Sequence, residues 1–420
     1  MPAPVRQQAL TVAVPVRRAG ADALDAWLVA HAAHLKSRLA AVESLHFGRF
    51  VLLPSGVPPH GDAGAHAPAL LLVETNFDGE LAAHLDELWR EAGPELEALL
   101  AHCAGWQAPG DATTFAAYMR AHLRAASAFF VAHPGLSVRR VRTDARLRAE
   151  VGRYLDAHRA ALAGRSGVEI LQHVREGLVA GGHGGLLEPG ERRPTATARA
   201  TLLVLSRHAL ALVSTIAQAL VFDIVDWLRG LWHDRRPSEP APAALARIGL
   251  EEAGRLQLGL THVARLKPGS FRRAALRLAL RVTDELAQAA PPGRLGGIES
   301  IHFARWVLLD DGRLVFFSHY DGSFEAYLGD FIERASRALT MIWSNTRDFP
   351  TTFAWLFGGA RDEAGFKRWT RAHQLPTPLW YSAYPELSVG EVLENARLRE
   401  LLTGSLDEAS ARRVLGAIRD

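Results

Sequence analysis

The sequence predicts a mixed α+β protein: two β-α-β-β-α-β repeats whose sheets pack on each other, with a hydrophobic helical insert between them. Three features lead there. Four blocks of the 420-residue chain recur in the same order. Within each copy, short apolar runs alternate with stretches of three- and four-residue apolar spacing, the signatures of strands and helices. The segment between the copies matches neither, and it carries a long uncharged stretch.

The matched blocks set the boundaries. "LTVAVPVR" from Leu10 corresponds to "LTHVARLK" from Leu260, and "ESLHFGRFVLL" from Glu43 to "ESIHFARWVLL" from Glu299. "NFDGELAAHLDEL" from Asn76 corresponds to "HYDGSFEAYLGDF" from His319. The ungapped run from Arg120, "RAHLRAASAFFVAHPGLSVRRVRTDARLR", corresponds to the run from Arg371. Residues 1–165 and 251–420 are therefore the repeats, and 166–250 the linker and insert.

Each repeat opens on a strand rich in Val and Leu. A helical pattern follows over Ala21–Glu43 and Ser270–Ala290. Two apolar strands come next, "LHFGRFVLL" and "ALLLVETNF" in the first copy, "IHFARWVLL" and "RLVFFSHY" in the second. Asp310-Asp311-Gly312 joins the second pair as a hairpin turn, where the first copy has a longer loop from Pro54 to Pro68. Helices are expected after Asp78-Gly79 and Asp321-Gly322, and again at Asp111 and Asp362. "ASAFFVAH" and "TPLWYSAY" supply a fourth strand. This order is ferredoxin-like. A four-stranded sheet with helices on one face leaves the other bare. Two such sheets are expected to cover each other as an intramolecular dimeric α/β-barrel.

The insert begins with a Gly-rich linker, Ala180–Pro194, and continues as a helical stretch from Thr201 to Trp232. Ala209–Phe222 carries no charge. Arg207, Ser214, Gln218 and Arg229 form a thin polar stripe, and Arg192, Arg193, Arg199, Arg235 and Arg236 flank the helix. Three placements stay open: burial against the repeats, an interfacial position on a membrane, or a bilayer span. A span needs about 20 apolar residues, more than the uncharged run provides. In the interfacial reading Leu212, Ile216, Leu220 and Ile224 enter the lipid, with Trp227 and Trp232 at headgroup level.

A formal charge of +3 and a pI near 9.2 are too mild to imply a nucleic-acid partner. The single cysteine, Cys103, excludes an intrachain disulfide and a thiolate metal cluster. The N-terminal stretch carries no secretory-type pattern. Walker, Gly-x-Ser-x-Gly, Cys-x-x-Cys and His-Glu-x-x-His signatures are absent from the sequence. The loop residues His60, Asp62 and His66 lack the supported convergence a metal needs, so no metal site is expected.

The candidate site residues repeat. Asp78 and Asp321 each precede Gly and a helical run, so each is either a helix cap or a carboxylate at a barrel mouth. Alternation places Glu74, Asn76 and Asp78 on one strand face, and Phe317, His319 and Asp321 on another. His46 and His302 lie three residues before Arg49 and Arg305, which alternation puts on opposite faces. An arginine inside a sheet needs a carboxylate, expected from Asp78 or Asp321 on the neighbouring strand. Trp306, Trp380 and Tyr384 are the expected pocket aromatics of the second copy.

The duplicated halves resemble the dimeric α/β-barrel superfamily, which includes dye-decolourising peroxidases and chlorite dismutases. The peroxidases carry Gly-x-x-Asp-Gly, and "TNFDG" from Thr75 and "SHYDG" from Ser318 keep its Asp-Gly without its first glycine. The resemblance implies a haem, with the aspartate on its distal side and a ligand among His46, His133, His302 and His319. The phrases "HFARWV", "YDGS" and "WYSAYP" are also similar to uncharacterised bacterial proteins. Three functions follow as expectations: a peripheral membrane or hydrophobic-ligand-binding protein, a haem-dependent peroxidase-like oxidoreductase, or a non-catalytic partner-binding scaffold. The expected location is the cytoplasm or the inner face of the membrane, with lipid or a hydrophobic small molecule as partner.

Overall fold

The computed structural model describes residues 5–18, 20–55, 67–188, 198–228, 239–404 and 407–419. The candidates His60, Asp62, His66, Arg192, Arg193, Arg229, Trp232, Arg235 and Arg236, and the side chains of Arg199 and Trp227, lie outside that description.

The first repeat forms strands β1 (Gln7–Pro15), β2 (Leu45–Leu53), β3 (Leu70–Asp78) and β4 (Ala128–Val131). Its helices are α1 (Ala21–Leu39), α2 (Leu81–Leu100), α3 (Ala112–Ala121) and α4 (Val138–Ala157). Helices α5 (Arg159–Leu162), α6 (Gly167–Ala180), α7 (Ala198–Leu228) and α8 (Pro242–Glu252) follow. The second repeat gives β5 (Gln257–Arg265), α9 (Ser270–Ala289), β6 (Ile301–Leu308), β7 (Arg313–Asp321) and α10 (Phe324–Trp343). A small hairpin, β8 (Thr352–Phe353) and β9 (Phe357–Gly358), precedes α11 (Glu363–Ala372), β10 (Leu379–Ser382), α12 (Val389–Thr403) and α13 (Glu408–Arg419).

Two antiparallel sheets result, in the orders β1-β3-β2-β10 and β4-β6-β7-β5. The fourth strands are exchanged: β10 pairs with β2, and β4 with β6. The expectation that each repeat keeps its own four strands is therefore corrected. Nearly the same residues occupy β2 and β6, so either copy offers the fourth strand a similar edge. The expected closed barrel is corrected as well, because the sheets remain two separate four-stranded layers.

The layers are helix, sheet, sheet, helix. Leu24, Leu28, Leu85 and Leu88 pack on the outer face of the first sheet, and Leu276, Leu280, Phe331 and Ile342 on that of the second. Between the sheets, Val51, Leu53 and Leu72 meet Val263, Val307 and Val315. Both faces of β2, β3, β6 and β7 are thus buried, which explains their nearly unbroken apolar runs.

A further cluster joins α4, α6, α12 and α13 through Leu147, Val174, Leu402 and Leu415. Part of the expected linker is thus a packed helix, opened by a capping box of Ser166 and Glu169. The ion pairs of Asp144 with Arg140 and Arg399 tie α4 to α12 inside it.

Helix α7 lies against α9. Leu212 and Ile216 pack on the second repeat's core, and Ala219 is buried there. His208 Nε2 sits 3.1 Å from Glu285 Oε1, and Arg272 Nη2 3.8 Å from Asp223 Oδ1. The outward face instead carries Leu203, Leu210, Val213, Val221 and Ile224, all exposed. Of the four aliphatic residues expected in lipid, Ile224 alone faces out; Leu212, Ile216 and Leu220 are half-buried. Apart from its thin polar stripe the uncharged run is apolar on every side, so its sequence could not show which part of that wide face a neighbour would cover.

Candidate functional site

The catalytic candidates converge between the sheets. A β-bulge in each copy makes this possible: Leu45 pairs with Phe77 and Phe47 with Asn76, which leaves His46 as the extra residue. The same shift between Ile301 and Phe303 frees His302. A bulge breaks the two-residue alternation. His46 and Arg49 therefore share the inter-sheet side, as do His302 and Arg305, which corrects the opposite-face expectation.

Each arginine reaches across to the other sheet. Arg49 Nη1 donates to Leu260 O (2.7 Å) and Thr261 Oγ1 (3.0 Å), and its Nη2 to Ser318 O (2.8 Å). Arg305 Nη1 donates to Leu10 O (2.8 Å) and Thr11 Oγ1 (3.1 Å), and its Nη2 to Thr75 O (2.9 Å) and to Asn76 Oδ1. These partners are matched positions of the two copies.

The carboxylate is not matched. Glu74 Oε1 lies 2.7 Å from Arg305 Nη2. Its Oε2 lies 2.9 Å from Arg49 Nε, an ion-pair contact off the hydrogen-bond axis. Phe317 occupies the corresponding place in the second copy, stacked under the Arg49 guanidinium at 5.4 Å. The arginine partner is thus Glu74, which corrects the expectation of Asp78 or Asp321. Burial alone would raise the Glu74 carboxyl, but Arg305, His319 and Arg49 outweigh it and hold the group well below the usual range. Burial lowers Arg305 to about 10, so it stays charged at neutral pH. Burial and then Arg49 push His319 down to about 3, leaving a neutral ring. Trp380 Nε1 donates to His319 Nδ1 at 3.0 Å, and His319 Nε2 lies 2.8 Å from Arg49 Nη2 and 3.0 Å from Glu74 Oε2. Two cations thus share one anion, and main-chain carbonyls absorb the remaining charge.

Asp78 and Asp321 do cap helices, but not those that follow them. Asp78 Oδ2 accepts from Val138 N and Asp321 Oδ2 from Val389 N, both at 2.7 Å, at the first turns of α4 and α12. The following helices α2 and α10 have Glu80 and Ser323 at their N-caps. The other oxygens meet His46 Nε2 (2.9 Å) and His302 Nε2 (2.7 Å). Tyr384 Oη then sits 2.8 Å from His46 Nδ1 and 3.3 Å from His133 Nε2. His133 stands where the second copy has Tyr384, and His302 Nδ1 finds no hydrogen-bond partner among the described residues. Ser137 and the Ser388–Glu391 capping box mark the starts of α4 and α12, a local signal already present in the sequence.

The haem implied by the resemblance requires a ring nitrogen facing an open plane. Nε2 of His46, His302 and His319 is held by a carboxylate, and that of His133 faces Tyr384. Phe47 packs 4.5 Å from the His319 ring and 5.3 Å from His302, and Phe303 lies 5.3 Å from His46 and 5.2 Å from His133. These residues do not fit a haem. All seven acid–base candidates, Asp78, Asp321, His46, His302, His319, Arg49 and Arg305, work as a framework that locks two sheets and two helix termini together.

The three expected pocket aromatics separate. Trp380 belongs to the Glu74 cluster, and Tyr384 to the histidine chain. Trp306 faces the other side of its sheet and lines an apolar pocket of about 350 Å³, walled by Leu286, Phe331, Leu339 and Ile342 and rimmed by Thr201, Pro291 and Arg294. Phe331 and Leu339 also line a water-sized cavity of about 20 Å³ with His262, whose two ring nitrogens have no partner among the described residues. Four elements distant in sequence, α7, α9, β6 and α10, make the larger pocket, so only Trp306 was legible beforehand. Compared with known proteins, the chain matches no family model and no curated sequence.

Proposed function

We propose that the protein is a peripheral membrane protein that holds an apolar molecule beside the bilayer. One observation carries this: the outward face of α7 is apolar and open, with Leu210 83% and Val213 63% exposed. An exposed patch of this kind marks an interaction surface. Ala200–Ile224 is long and apolar enough to cross a membrane by length and composition. Its inner face is taken up by α9 and by the contacts of His208 and Asp223, which favours lying on the surface over spanning. The flanking arginines of the sequence suit anionic lipid and a cytoplasmic leaflet. Each leucine-sized side chain entering lipid contributes roughly 1.5–3 kcal/mol.

The reading assigns no reaction. It takes the halves as one duplicated ferredoxin-like unit of the dimeric α/β-barrel kind, altered by exchange of the fourth strand; the matched contacts of Arg49 and Arg305 support this.

Vesicle flotation tests the membrane role. The full chain is expected to float with phosphatidylglycerol vesicles and less with phosphatidylcholine alone. Leu210→Asp and Val213→Asp should stay folded and remain in solution. Wild-type protein that stays at the bottom of the gradient overturns the proposal. If it also dimerises, and Leu210→Asp abolishes the dimer, a second copy covers the face instead.

A further inference from the structure

One connection of the second repeat is longer than its match in the first. Between α2 and α3 the chain runs from Ala101 to Asp111; between the matched α10 and α11 it runs from Ser344 to Asp362. The added length forms the β8–β9 hairpin. No residue from Pro350 to Ala360 is charged. Phe353 and Phe357 pair directly across the two strands, so both rings leave the same side. They are 48% and 47% exposed.

The hairpin holds these rings in water under strain. Ala354 and Trp355 turn the chain with φ of +49° and +65°, a region that non-glycine residues enter at a cost. Two anchors keep that turn in place: the Trp355 side chain is buried, and Ala354 N donates to Asp223 Oδ2 of α7 at 2.7 Å. Gly359 N donates to Thr351 O at 2.8 Å and closes the other end. A strained turn, tied to the core, that presents two phenylalanines marks a surface for which those rings are kept.

That surface continues the open face of α7. Asp223, the hairpin's anchor, stands between Phe222 and Ile224, and both of these are exposed, as is Val221. Leu202–Ile224 contains one acid, the buried Asp223, whereas its arginine, Arg207, is exposed. Aliphatic side chains and phenylalanine rings with a cation and no exposed acid among them suit an anionic bilayer. A helix lying on a bilayer touches it along a line and can roll about its own axis. A second foothold beside that axis removes the freedom.

We propose that the β8–β9 hairpin is a second bilayer contact: Phe353 and Phe357 enter the same leaflet as the C-terminal half of α7 and set the roll of that helix on the membrane. This rests on the membrane reading and extends it to a second element. The protein already covers half of each ring, so each contributes about half of a full transfer, a factor of about five in partition.

Partition of the full chain onto phosphatidylglycerol vesicles tests it. Phe353→Ser and Phe357→Ser should each weaken binding about fivefold, and the double variant about 25-fold, with unchanged thermal melts. A label reports position separately from affinity. The native Cys103 is buried and its thiol is pushed up to about 12 by burial, so it stays unlabelled. An NBD group on Phe357→Cys should shift to the blue on vesicle binding and be quenched by doxyl-labelled lipid. On Ala33→Cys, at an exposed position of α1, it should do neither. The label decides even where the serine variants melt early. If wild type floats but the double variant partitions equally well, or the label on Phe357→Cys stays in water, the hairpin contact is overturned and the α7 face keeps its role. Wild type that does not float overturns both. A label that shifts to the blue without vesicles, in a dimer seen by sedimentation, gives the hairpin to a second copy and overturns the proposal.

Discussion

Replacing Glu74 by Gln tests the centre of the structure. The change keeps the shape and removes one charge from a site where Glu74, Arg49 and Arg305 are all buried. It leaves two guanidiniums with neutral partners alone: carbonyl and hydroxyl oxygens and, for Arg49, the His319 ring. Breaking one buried ion pair by removing a partner costs about 3–5 kcal/mol. Here one carboxylate serves two arginines, so the upper half of that range is expected. Urea unfolding of both proteins measures the difference through midpoint and slope. The pH dependence carries a sign. The folded carboxyl is held far below its ordinary value, so its contribution is fully present above the unfolded value near pH 4.3. It declines as pH falls below that value, and the gap between wild type and E74Q should narrow from pH 7 to pH 3. The matched position offers a rescue. Phe317 stands opposite Arg305 as Glu74 stands opposite Arg49. The double variant E74Q/F317E returns a carboxylate to the cluster from the other sheet and should recover part of the loss. A cost under about 1 kcal/mol at pH 7, or a gap that does not change with pH, refutes the shared-carboxylate account.

Other expectations follow from neighbouring contacts. A Cβ on Gly259 would meet Trp380 at 2.6 Å, whereas the first copy has Ala9 with the smaller Phe129 at the matched places. Gly259→Ala should cost about 1–3 kcal/mol in urea unfolding, and Trp380→Phe added to it should relieve the overpacking. Asp321→Asn weakens the bonds to His302 and the first turn of α12, and should lower stability by about 1–3 kcal/mol. Tyr384→Phe leaves His46 Nδ1 without its donor and should cost a similar amount, whereas a surface tyrosine change would not. Leu212→Asp puts a charge against the second repeat's core and should lower the melting temperature, unlike Leu210→Asp on the same helix.

Much of the architecture was legible in the sequence. Matching halves gave the strand and helix order, the hairpin at Asp310–Gly312, the helix starts at Asp111 and Asp362, and the set of polar residues that gather between the sheets. Period and capping chemistry are local, so a chain read in order reveals them. The partner choices were not local. Strand β10 joins β2 rather than its own repeat because two near-identical edges compete, and only the packed molecule selects one. His46 turns to the side of Arg49 because a bulge adds a residue, which alternation cannot foresee. Glu74 serves both arginines because the sheets meet face to face and its counterpart is Phe317. The apolar face of α7 that stays open was decided by where α9 lies. Sequence fixes which groups must find partners; burial between layers distant in the chain decides which partners they find.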